Sequence, residues 1–279
     1  MTENWKGFLF TLWLLVSTIT VLAALLFIFG YIGRHGVAAV NLEFLLSGPK
    51  GVPLGAEGGI FPAIIGSLGL FAIACLSAGI LALSTAVYLV FYCRSKKIDA
   101  LAHMVIQCLA GIPSIVIGLF GYSLLVVNLG LGRSLLAAGL TLGIMIFPFI
   151  EVRVEKTLRE AGHHLIVSSY ALGVSKAYTL FKLVLPICLS DIVSAVTLAG
   201  GFAMGAAAPI ILTGAVIFAP VPDSLLSPVM ALPFHLYILT NEGISLEKAY
   251  ATALVLVALV FAINVISIIL TLRQREVRS

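Results

Sequence analysis

Any chemistry in this sequence has to come from a few polar residues set beside long apolar runs. Arg153 lies one or two residues past one such run, where a guanidinium can offer a bidentate fork to an oxyanion. Hydroxyl groups within the runs, such as that of Thr213, can add hydrogen bonds to the same anion. Both residue types have plainer roles, because basic residues beside spans also fix topology and hydroxyls often bond back to their own helix. Glu155 is expected to form a surface ion pair with Arg153 or Arg159.

Several kinds of site are excluded by the sequence. It contains no G-x-x-x-x-G-K-[ST] loop that would hold ATP phosphates and no H-E-x-x-H zinc motif. The four cysteines form no CxxC pair, and the basic residues form no stripe with interleaved aromatics. We therefore predict no catalytic residue, no metal site, no cofactor and no nucleic-acid partner. ATP hydrolysis, if the protein depends on it, takes place on a partner chain.

The composition indicates which elements position these residues. Of the 279 residues, 61% are hydrophobic and only 10% are charged, whereas a soluble domain carries about 25% charged residues. Spans of roughly 20 apolar residues are the natural unit of such a chain. Six helix-length runs qualify, at residues 8–32, 64–92, 101–127, 135–150, 192–212 and 249–272. The predicted fold class is all-α, a polytopic membrane protein with six transmembrane helices in contact with lipid.

The distribution of basic residues predicts the orientation. If the N-terminus is cytoplasmic, 12 of the 16 Lys and Arg residues fall on the inner side. Lys and Arg resist translocation near the ends of spans, so this bias predicts cytoplasmic N- and C-termini. The expected organisation is an N-terminal helix and external loop at 1–63, a transmembrane domain at 64–272 and a cytoplasmic tail at 273–279.

The segment from Glu151 to Pro186 carries most of the charge on the predicted inner side. Its apolar residues recur at helical spacing, which favours short amphipathic helices lying at the membrane face. Gly173 is expected to end one of them in a left-handed conformation, and Pro186 to mark the turn into the next span. Such a segment between two spans can receive force from a soluble motor, and the alternative is a helix that binds only lipid headgroups.

Part of this segment resembles the cytoplasmic coupling loop of type 1 ABC importer permeases. The pattern is Tyr170-Ala171-Leu172-Gly173, nine residues, then Leu183-Val184-Leu185-Pro186. The Glu-Ala-Ala triplet of that family falls on Val167-Ser168-Ser169, so its acidic residue is absent here. The resemblance implies the type 1 importer fold and a contact with the ATPase. It implies that the contact is formed by Val167, Ser168, Ser169, Ala171, Leu172, Gly173, Leu185 and Pro186.

Other motifs resemble one subfamily, the PstA-like permeases of phosphate importers. They are the segment from Gly58 to Leu68, the run from Arg153 to Arg159, Ala208-Pro209 with Leu212-Thr213, and Ala231-Leu232-Pro233 with Tyr237. The resemblance implies a substrate path that includes Arg153, Glu155 and Thr213. Phe202 and Ala206 stand where the subfamily carries an Arg and a Glu, so the sequence leaves open whether the anion is phosphate or another oxyanion.

The resemblance implies a permease subunit of an ATP-driven importer for inorganic phosphate in the bacterial inner membrane. Its partners would be ATPase subunits, a similar but distinct companion permease and an external substrate-binding protein. The alternatives are a permease for another oxyanion such as molybdate, tungstate or sulfate, and an ATP-independent carrier or channel. A carrier commonly shows inverted repeats, and the sequence offers no convincing repeat.

Overall fold

The structure, a computed structural model, describes residues 2–276, except for the side chains of residues 2–6, 161–167, 170, 270 and 272–276. The described part is mostly helical, with one two-stranded antiparallel hairpin. The α-helices are α1 (Thr2–Gly36), α2 (Leu42–Leu46), α3 (Phe61–Val87), α4 (Lys96–Ala110), α5 (Ser114–Gly121), α6 (Leu135–Ala171), α7 (Lys176–Tyr178), α8 (Leu185–Met204), α9 (Ala208–Thr213), α10 (Leu232–Asn241) and α11 (Leu246–Glu276). The strands are β1 (Pro49–Lys50) and β2 (Glu57–Gly58), and π-helical turns cover Tyr88–Tyr92, Tyr122–Asn128 and Thr179–Val184.

Five helical segments of the described chain are long and apolar enough to cross a membrane: Gly7–Ala39, Phe61–Tyr92, Leu135–Glu160, Lys176–Met204 and Leu246–Ile269. The predicted span at 101–127 is instead a bent pair, Lys96–Ala110 and Ser114–Asn128, at an angle of 101°. The bend falls at Gly111-Ile112-Pro113, because proline restricts the residue before it and cannot donate to the preceding turn. Counting the pair as one span gives six, which agrees with the predicted all-α, polytopic fold.

The centre of the fold is a close contact between α3 and α6. On α3, Ala74, Ala78 and Ala82 recur every four residues and are fully buried. Opposite them on α6, a β-carbon at Gly139 would lie 2.6 Å from the Ile73 side chain. Small residues at matching positions let two helix backbones approach closely, which is how helices commonly associate in membranes.

Helix α6 extends well beyond the predicted end of its span at residue 150. One apolar stripe of α6 continues past the predicted end, because at a spacing of four residues the following are completely buried: Ile146, Ile150, Val154 and Leu158. Several charged residues of this part, such as Lys156 and Glu160, lie on the exposed face of the helix. The expectation of short helices lying flat between residues 151 and 186 was therefore wrong. The non-helical part of that segment is confined to residues 172–175.

The next span also begins earlier than predicted. A helical segment runs from Lys176 through the π turn Thr179–Val184 into α8 and ends at Met204. The π turn lies directly before Pro186, whose ring and missing N–H disturb the regular hydrogen-bond ladder, and the wider turn accommodates it. Pro186 is therefore enclosed by helix and does not mark its start. At the far end, residues 205–207 separate α8 from α9, so the predicted span at 192–212 is interrupted.

The segment between α1 and α3 packs against the end of the bundle opposite residues 172–175. Asn41 caps α2 by accepting a hydrogen bond from the Phe44 amide at 2.7 Å. The Lys248 ammonium of α11 donates to the carbonyl of Gly58 at 3.0 Å, which ties the hairpin to the bundle. In the same region, the Leu232 amide donates to the Ser67 hydroxyl at 2.8 Å and holds the start of α10 on α3.

Candidate functional site

The first candidate site is the turn between α6 and α7, residues 168–175, named here the coupling turn. Gly173 has φ +76°, so it adopts the predicted left-handed conformation at the helix end. The Val174 amide donates to the Ser169 carbonyl at 3.0 Å, which closes the six-residue ring of a Schellman motif. The turn is therefore a defined structure with a fixed exit direction.

One residue of the coupling turn anchors it and others face outward. The Ser169 side chain is buried, and its hydroxyl lies 2.9 Å from that of Thr179, a hydrogen bond across the two helices. Leu172 is 82% exposed, although it is a large apolar side chain. Ser168, Ala171 and Gly173 are exposed as well. An apolar side chain held out on a rigid turn is suited to enter a groove on another protein.

The other predicted coupling residues have different settings. Leu185 and Pro186 are half-buried within the helical segment that follows, so they support the turn from behind and do not belong to its exposed surface. The Val167 side chain lies outside the described residues. The motif comparison missed Tyr178 and Phe181, which are 56% and 64% exposed just after the turn. Their three-residue spacing, which puts both on one helix face, was the available signal.

The second candidate site is a cavity of about 370 Å³ between α6 and α8, named here the arginine cavity. It is lined by Phe149, Arg153, Ser194, Ala195, Leu198, Ala199 and Phe202. Among these residues Arg153 is the only charged one, and Ser194 faces the same cavity from α8. Phe149 and Phe202 form an edge-to-face pair with ring centroids 5.6 Å apart. The cavity can therefore offer a guanidinium and a hydroxyl to an anion within largely apolar walls.

The three predicted substrate-path residues do not form one site. The Thr213 carbonyl accepts a hydrogen bond from the amide of Ser134, beside the start of α6, at 3.2 Å. Nineteen residues separate Ser134 from Arg153 along the chain, which is about 28 Å along a helix. The Thr213 hydroxyl donates to the Pro209 carbonyl at 2.7 Å, so it bonds back to its own helix as the plainer reading expected.

Glu155 pairs with Arg159, one of the two partners expected from the sequence, but the Glu155 side of the pair is buried, which corrects the expected surface location. Its side chain is only 7% exposed, and its partners are Arg159 on the next turn of α6 and His103 on α4. The Nε2 atom of His103 lies 2.9 Å from Oε2 of Glu155. The sequence gave no sign of this contact, because 52 residues separate the two positions.

Comparison with known proteins bears on both sites. Residues 78–276 match the family described as binding-protein-dependent transport system inner membrane component. The chain belongs to this family. This permease is 34% identical over 209 residues to the phosphate transport system permease protein PstA 1 of Mycobacterium tuberculosis, covering 74% of the chain and 68% of that relative. It is 31% identical to PstA of Mycobacterium leprae, covering 91% of the chain and 84% of that relative.

A solved structure supports the fold assignment of the permease. A chain of the MetNI methionine ABC transporter in an inward-facing conformation matches with a TM-score of 0.64 at 20% identity, covering 76% of this chain and 94% of that one. The permease therefore has the type 1 ABC importer transmembrane fold and is a multi-pass membrane protein. The coupling turn and the arginine cavity both lie within the part that matches the family.

The positions where the permease departs from the subfamily motif lie close to the arginine cavity. Phe202 lines it, and Ala206 lies four residues further on, in the break between α8 and α9. The cavity wall on α8 therefore has an aromatic ring where the subfamily motif has an arginine. Among the residues that line the cavity, Arg153 on α6 is then the one charged group.

Proposed function

We propose that this chain is a permease subunit of an ATP-driven importer of inorganic phosphate and forms one half of the translocation path. The observation that carries the proposal is the similarity to two proteins named phosphate transport system permease over 74% and 91% of the chain. The anion would bind in the arginine cavity, because the Arg153 guanidinium is the type of group that binds a phosphate oxyanion bidentately.

The proposed partners follow from the two sites. An ATPase subunit would bind the coupling turn, with Leu172 in a groove of its surface. A companion permease, similar but distinct, would face the open side of the arginine cavity and complete the path. An external binding protein would deliver the anion at the opposite end of the bundle. The positive-inside bias favours cytoplasmic termini, and with that orientation the coupling turn would lie in the cytoplasm, where an ATPase can reach it.

Helix α6 would connect the motor to the path. It carries Arg153 and Phe149 on the cavity wall and ends at the coupling turn. When the ATPase subunits close, movement of the turn would therefore shift α6 against α8 and open the cavity to one side of the membrane or the other. In the proposed domain organisation, residues 64–272 form the transport unit and residues 1–63 add a peripheral helix and an external loop.

The test is ATP-dependent uptake of radiolabelled phosphate into vesicles that contain the assembled complex, with molybdate and sulfate as competitors. We expect uptake that only excess phosphate suppresses. Arg153→Gln should reduce it at least tenfold, and Arg153→Lys, which keeps the charge but not the fork, should restore part of it. Lys156→Gln, an exposed cation outside the cavity, is the matched control.

Two results would redirect the proposal. A complex that hydrolyses ATP but transports no phosphate would assign the permease to another oxyanion, a possibility that Phe202 and Ala206 favour. Full transport in Arg153→Gln would remove the arginine cavity from the path. Stable co-purification of an ATPase separates both outcomes from an ATP-independent carrier.

A further inference from the structure

A group of ionisable side chains joins α4 to the C-terminal half of α6 and is used by neither candidate site. It comprises Asp99 and His103 from α4 with Glu151, Glu155 and Arg159 from α6, and is named here the α4–α6 cluster. One ligand atom from each of Asp99, His103 and Glu155 lies within 4.8 Å of the other two. These groups are of the types that bind divalent transition metals.

The hydrogen bonds of His103 are consistent with a metal ligand. Its Nδ1 lies 2.8 Å from the backbone carbonyl of Asp99, an acceptor, so the ring carries its proton on Nδ1. Its Nε2 lies 2.9 Å from a carboxylate oxygen of Glu155, which is also an acceptor. In a neutral imidazole two lone pairs would then face each other, and either a second proton on Nε2 or a metal cation bound by both atoms removes the conflict. A backbone carbonyl on Nδ1 is also the usual arrangement that orients a metal-binding histidine.

Arg159 orients the two other carboxylates and leaves an oxygen free on each. It donates from Nε to Oε1 of Glu155 at 2.7 Å, and its Nη2 lies 3.3 Å from Oδ1 of Asp99. The second oxygen of Glu155 faces His103, and Oδ2 of Asp99 lies 3.7 Å from Nδ1 of His103. The guanidinium therefore holds both carboxylates from outside while their free oxygens stay beside the imidazole.

Glu151 supplies an independent indication that something is bound here. Its side chain is completely buried, neither carboxylate oxygen accepts a hydrogen bond from the described residues, and the neighbouring acidic group is the Glu155 carboxylate. It lies one helical turn before Glu155 on the same face of α6 and interacts electrostatically with Glu155, His103 and Arg159. With all three carboxylates ionised and the imidazole neutral, the cluster carries two net negative charges, which a divalent cation would balance. A buried carboxylate is retained when it is paired or bound to a metal.

We propose that Asp99, His103 and Glu155 bind a divalent first-row transition metal, of the Mn²⁺ or Zn²⁺ type, that joins α4 to α6, and that the buried Glu151 carboxylate beside them helps to balance its charge. The mixture of imidazole and carboxylate ligands favours these ions over Mg²⁺ and Ca²⁺, which prefer oxygen alone. A cavity of about 440 Å³ lined by His103, Glu155 and Arg159 gives the ion a route from solvent. The sequence-based expectation of no metal site rested on motif spacing, which cannot detect ligands from two helices 52 positions apart.

The experiment titrates Mn²⁺ into the purified full-length permease in lipid nanodiscs, stripped with EDTA and free of nucleotide, and follows free Mn²⁺ by electron paramagnetic resonance. We expect one Mn²⁺ per chain, displaced by Zn²⁺. Glu151→Gln, which preserves shape and removes the charge, and His103→Ala should each weaken binding by 10- to 100-fold. Glu160→Gln is the matched control, since Glu160 lines the same cavity but pairs with Lys156 outside the cluster.

Thermal unfolding gives a second readout that does not depend on a variant retaining its transport activity. At one fixed concentration, Zn²⁺ should raise the midpoint temperature of the wild type and of Glu160→Gln, and should raise that of Glu151→Gln and His103→Ala by less. Failure of the wild type to bind either ion overturns the proposal, and so does equal binding by the wild type and both cluster variants. If the wild type binds neither ion, a proton on Nε2 of His103, shared with Glu155, occupies the position assigned to the metal.

Discussion

Leu172 offers a direct test of the proposed ATPase contact, because its side chain does little within the permease. It is 82% exposed, so Leu172→Ala should leave the free energy of unfolding of the permease nearly unchanged. If a groove of the ATPase buries the side chain, the substitution removes three carbons from that contact. At about 0.8 kcal/mol per buried carbon group, incomplete burial gives a loss of about 2 kcal/mol. This loss corresponds to a roughly 30-fold weaker association with the ATPase.

The association can be measured with the permease in nanodiscs and the purified ATPase subunit, by surface plasmon resonance in the absence of nucleotide. ATP-dependent uptake in the reconstituted complex should fall with it. Leu46→Ala is the control, because Leu46 is also exposed (62%) but lies on α2, between α1 and α3. If Leu172→Ala binds the ATPase as tightly as the wild type does, the coupling turn is not the contact and the assignment from the motif is refuted.

Two further substitutions test backbone requirements. Gly173→Val places a β-branched residue at φ +76°, which costs about 1–2 kcal/mol at the turn. It should therefore uncouple ATP hydrolysis from uptake. Gly173→Asn should retain coupling, because asparagine tolerates this conformation. Gly66→Ala puts a β-carbon against the Met230 backbone carbonyl, which should destabilise the protein by about 1–3 kcal/mol and lower its midpoint temperature in detergent, while Gly205→Ala should have little effect.

A different result would contradict each of these two predictions. No atom lies within 4 Å of a β-carbon at Gly173, so an effect of valine there must arise from the backbone. Equal transport by the Val and Asn variants would show that the left-handed conformation is not required. At Gly205 the nearest atom is 3.6 Å away, which makes it a neutral reference. Equal midpoint temperatures for Gly66→Ala and Gly205→Ala would mean that α3 can move away from the Met230 segment at no cost.

The features that the sequence predicted are those encoded locally. Runs of apolar residues as long as a bilayer is thick indicate membrane helices wherever they occur; four of the six gave a single span, the run at 101–127 is a bent pair and that at 192–212 is interrupted. The left-handed Gly173 was predictable as well, since a glycine between two amphipathic stretches commonly ends a helix. The bend at Gly111-Ile112-Pro113 could have been found by giving this breaker more weight than the hydropathy of the run that contains it.

The features that the sequence did not predict depend on which helices meet. Charged residues after Ile150 suggested the end of a span, yet Val154 and Leu158 are completely buried and carry α6 onward. The settings of Glu151 and Glu155 were missed for the same reason, because burial and the His103 contact depend on neighbouring helices whose positions no local pattern specifies. Arg153 and Thr213 each appeared plausible as anion ligands, and only the length of α6 shows that they lie far apart.

The continuity of α6 has a mechanical consequence. A helix of 37 residues is about 55 Å long, and tilting it by about 5° displaces one end relative to the other by about 5 Å. A movement of the coupling turn is therefore transmitted along the whole of α6 toward the opposite end of the bundle. Pro148 interrupts the hydrogen-bond ladder within this rod, just before Phe149 and Arg153. Helix α6 should bend there first, so that the part from Pro148 to the coupling turn swings about a point beside the arginine cavity.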